Sequence, residues 1–293
     1  MASNDSAIDL ADPQPRASEV DSLADFRARE ITFDGIAKRV YVTGHGPAVI
    51  VMPEMPGISP EVARFARWVR DAGFSVYVPS LFGRDGAVLG TAEAVDVFRK
   101  ACVSAEFRAL SGRGDRPITR WLRALARQAL TECDGPGVGA IGMCFTGNFA
   151  LSMVLEPAVT APVVAQPSLP LDRPDGIDME PEELAQVRAR LEQDDLKVLA
   201  YRFEGDVHCP AARFAAYRDA LGDRFDARVL PDSAANPDPP PFFRDVVRVP
   251  HSVLTAHLID AAGEPTLQAR DEVIRFLQSR LHGEAPFSPE SII

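Results

Sequence analysis

The stretch Val138-Gly139-Ala140-Ile141-Gly142-Met143-Cys144-Phe145-Thr146-Gly147 decides the architecture. Its first six residues carry no charge, as a strand covered on both faces requires. Gly147–Leu155 then reads as a helix stopped near Pro157. Between the two lies a sharp strand-to-helix turn that lifts Cys144 above the sheet and sets backbone N–H groups and the start of a helix beside it. Gly142 and Gly147 leave room where strand and helix approach closely. The stretch lies in a charge-free run between Asp134 and Glu156 that is long enough to cross a bilayer. Gly135, Pro136, Gly137, Gly139, Gly142, Gly147 and Asn148 interrupt it, so strand, turn and helix account for it better than a membrane span.

The same alternation extends in both directions. Upstream, Ile31–Phe33 and Lys38–Val42 flank Asp34-Gly35, turn chemistry for a β-hairpin. Ala48–Met52 is a buried strand. Ser59-Pro60-Glu61 supplies a helix cap, first residue and first-turn acid, and Val62, Phe65, Ala66 and Val69 follow on one helical face, ended by Gly73. Phe74–Val78 is a strand, and a helix runs around Ile118–Leu130. Downstream come a strand at Val159–Val164, a helix at Glu182–Leu191, a strand at Leu196–Phe203, a helix at Pro210–Leu221, a strand at Phe225–Leu230 and a last helix marked by Val273, Phe276, Leu277 and Leu281. Repeated strand–helix units predict an α/β protein with a mostly parallel central sheet, helices on both faces and an antiparallel N-terminal hairpin. Residues 1–26, rich in Asp and Glu, are expected to be a mobile acidic tail with a short helix near Leu23–Phe26, and 27–293 one domain.

The 293 residues suit a single α/β domain. Their net charge of −11 argues against nucleic acid and anionic membranes as partners. The N-terminus lacks the basic start and apolar run of a signal peptide, so a cytoplasmic location is expected. Cys102, Cys133, Cys144 and Cys209 form no CxxC pair, and reduced thiols without a metal site are expected.

In an open parallel sheet, ligands gather at the carboxyl ends of the strands. Three reactive residues follow strands: Cys144, Asp206 in Phe203-Glu204-Gly205-Asp206-Val207-His208-Cys209-Pro210, and His251 in Val249-Pro250-His251-Ser252-Val253. Taken singly, each has a plainer reading: a buried structural thiol, a turn-capping carboxylate, a solvated imidazole. Their order, nucleophile then acid then base, is that of the α/β-hydrolase fold. Among the five histidines, His208 and His257 compete with His251 for the role of base.

With these motifs in place the chain resembles the dienelactone hydrolase family over roughly residues 30–282. Gly142-Met143-Cys144-Phe145-Thr146-Gly147 looks like the family's G-x-C-x-G-G elbow. Glu204–Pro210 is similar to its acid motif and His251-Ser252 to its His followed by a small residue. Val49–Gly57, with Glu54, resembles an early strand followed by a Glu. Pro79–Arg84 resembles a stretch whose Arg meets a substrate carboxylate. Two departures stand out. Thr146 replaces a glycine and is expected to crowd the elbow. Thr255 stands where a second substrate Arg is found, which puts a dicarboxylate-like lactone in doubt. Segments 158–195 and 231–248, the latter with Asn236–Pro241 (NPDPPP), look like insertions able to shape or lid a pocket.

The resemblance implies an α/β-hydrolase fold and hydrolysis of an activated ester or lactone through a Cys144 acyl-thioester. His251, held by Asp206, would serve as base, and Glu54 would pair with the resting thiol. The backbone N–H groups of Met55 and Phe145 would form an oxyanion hole, and Arg84 would clamp a substrate anion. The substrate is a small molecule and no cofactor is required. A non-catalytic ligand-binding or thiol-sensing protein of the same fold is the alternative, and an acyltransferase or thioesterase a third; the oligomeric state is open.

Overall fold

The computed structural model describes residues 20–104, 106–107 and 116–282. Its eight strands form one sheet in the order β1-β2-β4-β3-β5-β6-β7-β8. They are β1 (Arg27–Phe33), β2 (Ile36–Gly44), β3 (Ala48–Met52), β4 (Ser75–Pro79), β5 (Val138–Met143), β6 (Val159–Ala165), β7 (Val198–Phe203) and β8 (Phe225–Leu230). β1 and β2 are antiparallel, β2 runs antiparallel to β4, and every pairing from β4 to β8 is parallel. The expected hairpin, sheet and flanking helices are all present, and this is the α/β-hydrolase fold. The hairpin turns on Asp34 and Gly35, both at positive φ (50° and 77°), as a tight two-residue turn demands.

Seven helices cover the sheet: α1 (Pro60–Asp71), α2 (Thr91–Val103), α3 (Pro117–Glu132), α4 (Gly147–Met153), α5 (Pro181–Gln193), α6 (Ala211–Leu221) and α7 (Pro265–Leu281). Side-chain alternation along β3 divides the interior. Ile50 and Met52 face a core built with Trp121 and Leu125 of α3, Phe149 of α4, Val187 of α5 and Phe214 of α6. Val49 and Val51 face the opposite core, with Val62, Phe65 and Val69 of α1 and Val273 and Leu277 of α7. Such doubly covered strands have no polar face, which is why β3, β4 and β5 read as unbroken apolar runs. Ser59 caps α1, its hydroxyl accepting the Val62 N–H at 3.3 Å. Among the described residues no helix is long and apolar enough to cross a membrane.

Two expectations are corrected. The acidic stretch 1–26 is not a tail throughout. Residues 1–19 lie outside the described residues, but 20–26 pack onto the domain. Leu23 and Phe26 are buried, Asp21 and Asp25 both pair with Arg67, and Asp25 also reaches Arg70. Residues Leu23–Phe26 form a turn, not a helix. The second correction is α2, which sequence patterning did not anticipate. Its buried residues are only Ala94, Ala101 and Cys102, too small and too few to form a visible apolar stripe.

The β5–α4 crossing is where packing is tightest. A Cβ placed on Gly142 would lie 2.3 Å from the Thr146 carbonyl oxygen and 2.9 Å from the Ala150 Cβ. Gly142→Ala is therefore expected to destabilise the protein by about 2–3 kcal/mol, the usual cost of overpacking a close crossing. Urea unfolding followed by circular dichroism measures it, and an unchanged midpoint would show that α4 can move aside freely.

Candidate active site

Cys144 sits at the end of β5 with φ = 54°, a left-handed conformation rare for a side chain with a Cβ. Strain of this kind costs on the order of 1–3 kcal/mol and persists only where packing enforces it. Here Gly142 and Gly147 supply the enforcement. A Cβ on Gly147 would meet Pro167 at 2.8 Å, so the chain must turn where it does. Thr146, expected to crowd the elbow, is instead fully buried and used: its hydroxyl accepts the Met143 N–H at 2.9 Å and lies 3.3 Å from the Met52 carbonyl at the end of β3. The Cys144 carbonyl accepts the Ser168 N–H at 3.1 Å, and the Ser168 hydroxyl lies 3.4 Å from Sγ. Ser168, in the loop after β6, had no motif to announce it.

The structure brings Asp206 and His251 to this sulfur. Asp206 follows β7; its Oδ1 accepts the N–H groups of His208 (2.9 Å) and Cys209 (3.1 Å), and its Oδ2 lies 2.7 Å from His251 Nδ1. Both side chains are only 1% exposed. With Nδ1 on the carboxylate, the other ring nitrogen is left for the cavity that His251 and Cys144 line together. Burial alone would depress the imidazolium, but the Asp206 charge and the Cys144 sulfur raise His251 well above its ordinary value. Burial likewise works against the Asp206 carboxylate, yet the His251 charge and the two amides hold it below the usual range.

The competing histidines are separated by their hydrogen bonds. His257 Nδ1 accepts the Ser252 N–H at 3.1 Å and the His251 N–H at 3.4 Å, a role open only to a neutral ring. Burial and the neighbouring His251 charge push it down to about 4. The His208 ring stands edge-on to His251, 5.4 Å between centroids, and is lowered for the same two reasons.

Glu54 follows β3 and is buried beside the loop that carries His251, but its carboxylate is engaged away from the sulfur. Oε1 accepts from Ser252 Oγ at 2.5 Å and from Thr255 Oγ1, and Oε2 accepts from Gln166 Nε2 at 3.3 Å. The expected pair with the resting thiol is not among the hydrogen bonds of the described residues. Burial pushes the Glu54 carboxyl up against the two hydroxyls and the His251 charge. Arg84 is not brought to the site: its guanidinium spans both oxygens of Glu93, at 2.8 and 3.0 Å, and its side chain is 61% exposed.

A cavity of ≈ 200 Å³ opens over Cys144, Ser168, His208 and His251. Met55 lines it directly after β3, while Phe145 is fully buried in an aromatic cluster with Phe82, Phe107 and Phe149. Its remaining walls come from outside the sheet: α2, the loop at Leu171, and Phe242–Val247 within the anticipated insertion 231–248. Arg213, fully buried on α6, holds two of the bordering loops. Its guanidinium donates to the carbonyls of Pro167, Pro170, Arg173, Gly176 and His208.

The sequence pattern of the dienelactone hydrolase family matches residues 34–189. A carboxymethylenebutenolidase of Pseudomonas sp. (strain P51) is 29% identical over 123 residues, 39% of this chain. The match spans about half (46%) of that curated relative's length. Among solved structures, a dienelactone hydrolase-like promiscuous phosphotriesterase from metagenomic libraries shares the fold at TM-score 0.56 and 21% identity, covering 86% of this chain and 97% of its own. A cold-adapted esterase from an Arctic intertidal metagenomic library gives TM-score 0.54 at 13% identity, covering 87% and 94%.

His257 gives the site a pH signature. An unfolded imidazole takes up its proton near 6.5, whereas the folded ring refuses it until about 4. The contribution is therefore fully present above 6.5 and is lost as pH falls through that window. His257→Gln, which keeps an acceptor but cannot titrate, is expected to reduce the stability lost between pH 7 and 5 by about 2 kcal/mol. Urea midpoints at the two pH values measure this, and equal losses in both proteins would show that His257 is protonated in the folded state.

Proposed function

This chain belongs to the dienelactone hydrolase family, and from that premise we propose that it hydrolyses activated carboxylic esters or lactones with Cys144 as nucleophile, His251 as base and Asp206 as the orienting acid. The observation that carries the reading is the buried Asp206–His251 pair at 2.7 Å, whose ring lines one cavity together with Cys144. A thiol at such a bend, with an imidazole on one side and its carboxylate behind, has the parts that covalent acyl transfer needs.

The steps follow from the positions. The Cys144 sulfur attacks the carbonyl carbon, and its proton resides on His251 Nε2. The new C–S bond leaves the carbonyl oxygen negative, received by the backbone N–H groups of Met55 and Phe145, each worth ~10²–10³ in rate at comparable sites. The C–O bond to the leaving oxygen breaks as His251 returns the proton to it. Water then attacks the thioester while giving a proton to His251; the C–S bond breaks, the acid departs and the thiol is restored. Enol esters, aryl esters and lactones with good leaving oxygens suit this chemistry, and the name of the Pseudomonas relative makes an enol lactone one candidate.

Glu54 enters as a positioning residue. By receiving Ser252 and Thr255 it ties the His251 loop to the segment that carries Met55. Arg84, committed to Glu93 on the surface, has no part in the proposed mechanism.

Incubation with 4-nitrophenyl acetate is expected to add one acetyl group to Cys144, seen by mass spectrometry of rapidly quenched protein. Cys144→Ala is expected to lose at least ~10³-fold in turnover, and Asp206→Asn ~10²–10⁴-fold with the fold intact. Turnover by the alanine variant at the unaltered protein's rate would overturn the proposal. Ligand binding without acylation would favour a non-catalytic protein of the same fold.

A further inference from the structure

We infer that the acyl-binding half of this site accepts an uncharged, apolar acyl group of about six carbons or a single ring, and excludes carboxylate-bearing substrates. The inference deepens the hydrolase reading and rests on it. Among the described residues, the cavity over Cys144 is lined by no Lys, Arg, Asp or Glu. Apart from the reacting pair, its polar groups are only Ser168 and His208, and burial beside His251 holds the latter ring toward its neutral form. The walls are Val95 and Phe98 of α2, Leu171, and Phe242, Phe243 and Val246.

Four of the described cations are committed elsewhere. Arg84 is held by Glu93. Lys38 pairs with Glu106 at 2.6 Å over the Phe107 ring, and the buried Arg116 pairs with Asp178. Arg213 is occupied by five backbone carbonyls. Thr255, four residues after His251, is bonded to Glu54. His251 Nδ1 is taken by Asp206. A carboxylate entering the cavity would lose its water and meet no Lys or Arg among the described lining residues, which is strongly unfavourable.

Size points the same way. An apolar cavity of about 150 Å³ is enough to hold benzene, so ≈ 200 Å³ suits a ring or a short chain. At the rim, Leu171 and Val246 stay 42% and 38% exposed. An apolar group would cover them, and a charged one would not.

The test separates acyl preference from catalysis. Binding of 4-nitrophenyl hexanoate and of the 4-nitrophenyl monoester of adipic acid, which has the same six-carbon acyl chain ending in a carboxylate, is compared in Cys144→Ala, where neither ester should be turned over. The neutral ester is expected to bind at least ~30-fold more tightly, and Phe98→Arg to narrow that ratio at least ~10-fold. Equal or tighter binding of the anionic ester, or binding of neither, would overturn the inference whatever the catalytic outcome. Failure of the unaltered protein to acylate on Cys144, with the binding preference intact, would remove the hydrolase reading and leave the pocket assignment standing.

Discussion

The β5–α4 crossing leaves no space for a side chain at Gly142 or Gly147, and the geometry of the site depends on that exclusion. Because the helix must start immediately, Cys144 is forced into a left-handed backbone conformation and its sulfur is lifted clear of the strand. Thr146 then closes the turn from beneath, joining the end of β5 to the end of β3 through one hydroxyl. β3 and β5 are neighbours in the sheet, so Met55 and Phe145, which follow these two strands, enter the site from adjacent positions. A looser elbow would separate them.

Hydrogen bonding, more than proximity, distinguishes the two imidazoles of this loop. His251 offers Nδ1 to a carboxylate, an arrangement that stabilises its charged form in a buried place. His257, in the same loop, spends Nδ1 on accepting two backbone N–H groups and is held neutral. The two rings thus have opposite tasks: one carries a proton and the other braces the loop that presents it. Glu54 shares the bracing. Gln166 connects it to the Val253 amide, so carboxylate, amide and two hydroxyls form one buried network under His251. Such a network fixes ring orientation only while all its members are satisfied.

The fold was largely legible because its strands are short apolar runs separated by strong turn and cap signals, such as Asp34-Gly35 and Ser59-Pro60. The elbow and Asp206 were legible for the same local reason, since each lies just after a strand, while His251 was singled out by its place in the order, in the long loop region after β8. What escaped depends on partners distant in sequence. Nothing in the neighbourhood of Glu54 reveals that Ser252 and Thr255, some two hundred residues away, will claim its oxygen. Arg84 reads as a substrate ligand until Glu93 is seen beside it. Ser168 is placed by the loop that Arg213 gathers, and α2 lacks an apolar stripe because it contributes a pocket wall more than a piece of core.

That division has a mechanical meaning. Of the groups proposed to do chemistry, Cys144 and Asp206 follow directly on parallel strands, while His251 is held in the segment between β8 and α7 by its bond to Asp206. The groups proposed to select the acyl moiety sit on α2 and on Phe242–Val247, linked to each other through the Thr91 hydroxyl on Asp245 at 3.0 Å. Neither wall is part of the sheet, so substitutions there can reshape the cavity without disturbing Cys144, Asp206 and His251. The proposed specificity is therefore separable from the proposed reactivity: a charge placed on Phe98 is expected to alter which acyl group fits, whereas the elbow, which has no room for even one added methyl group, tolerates almost no change.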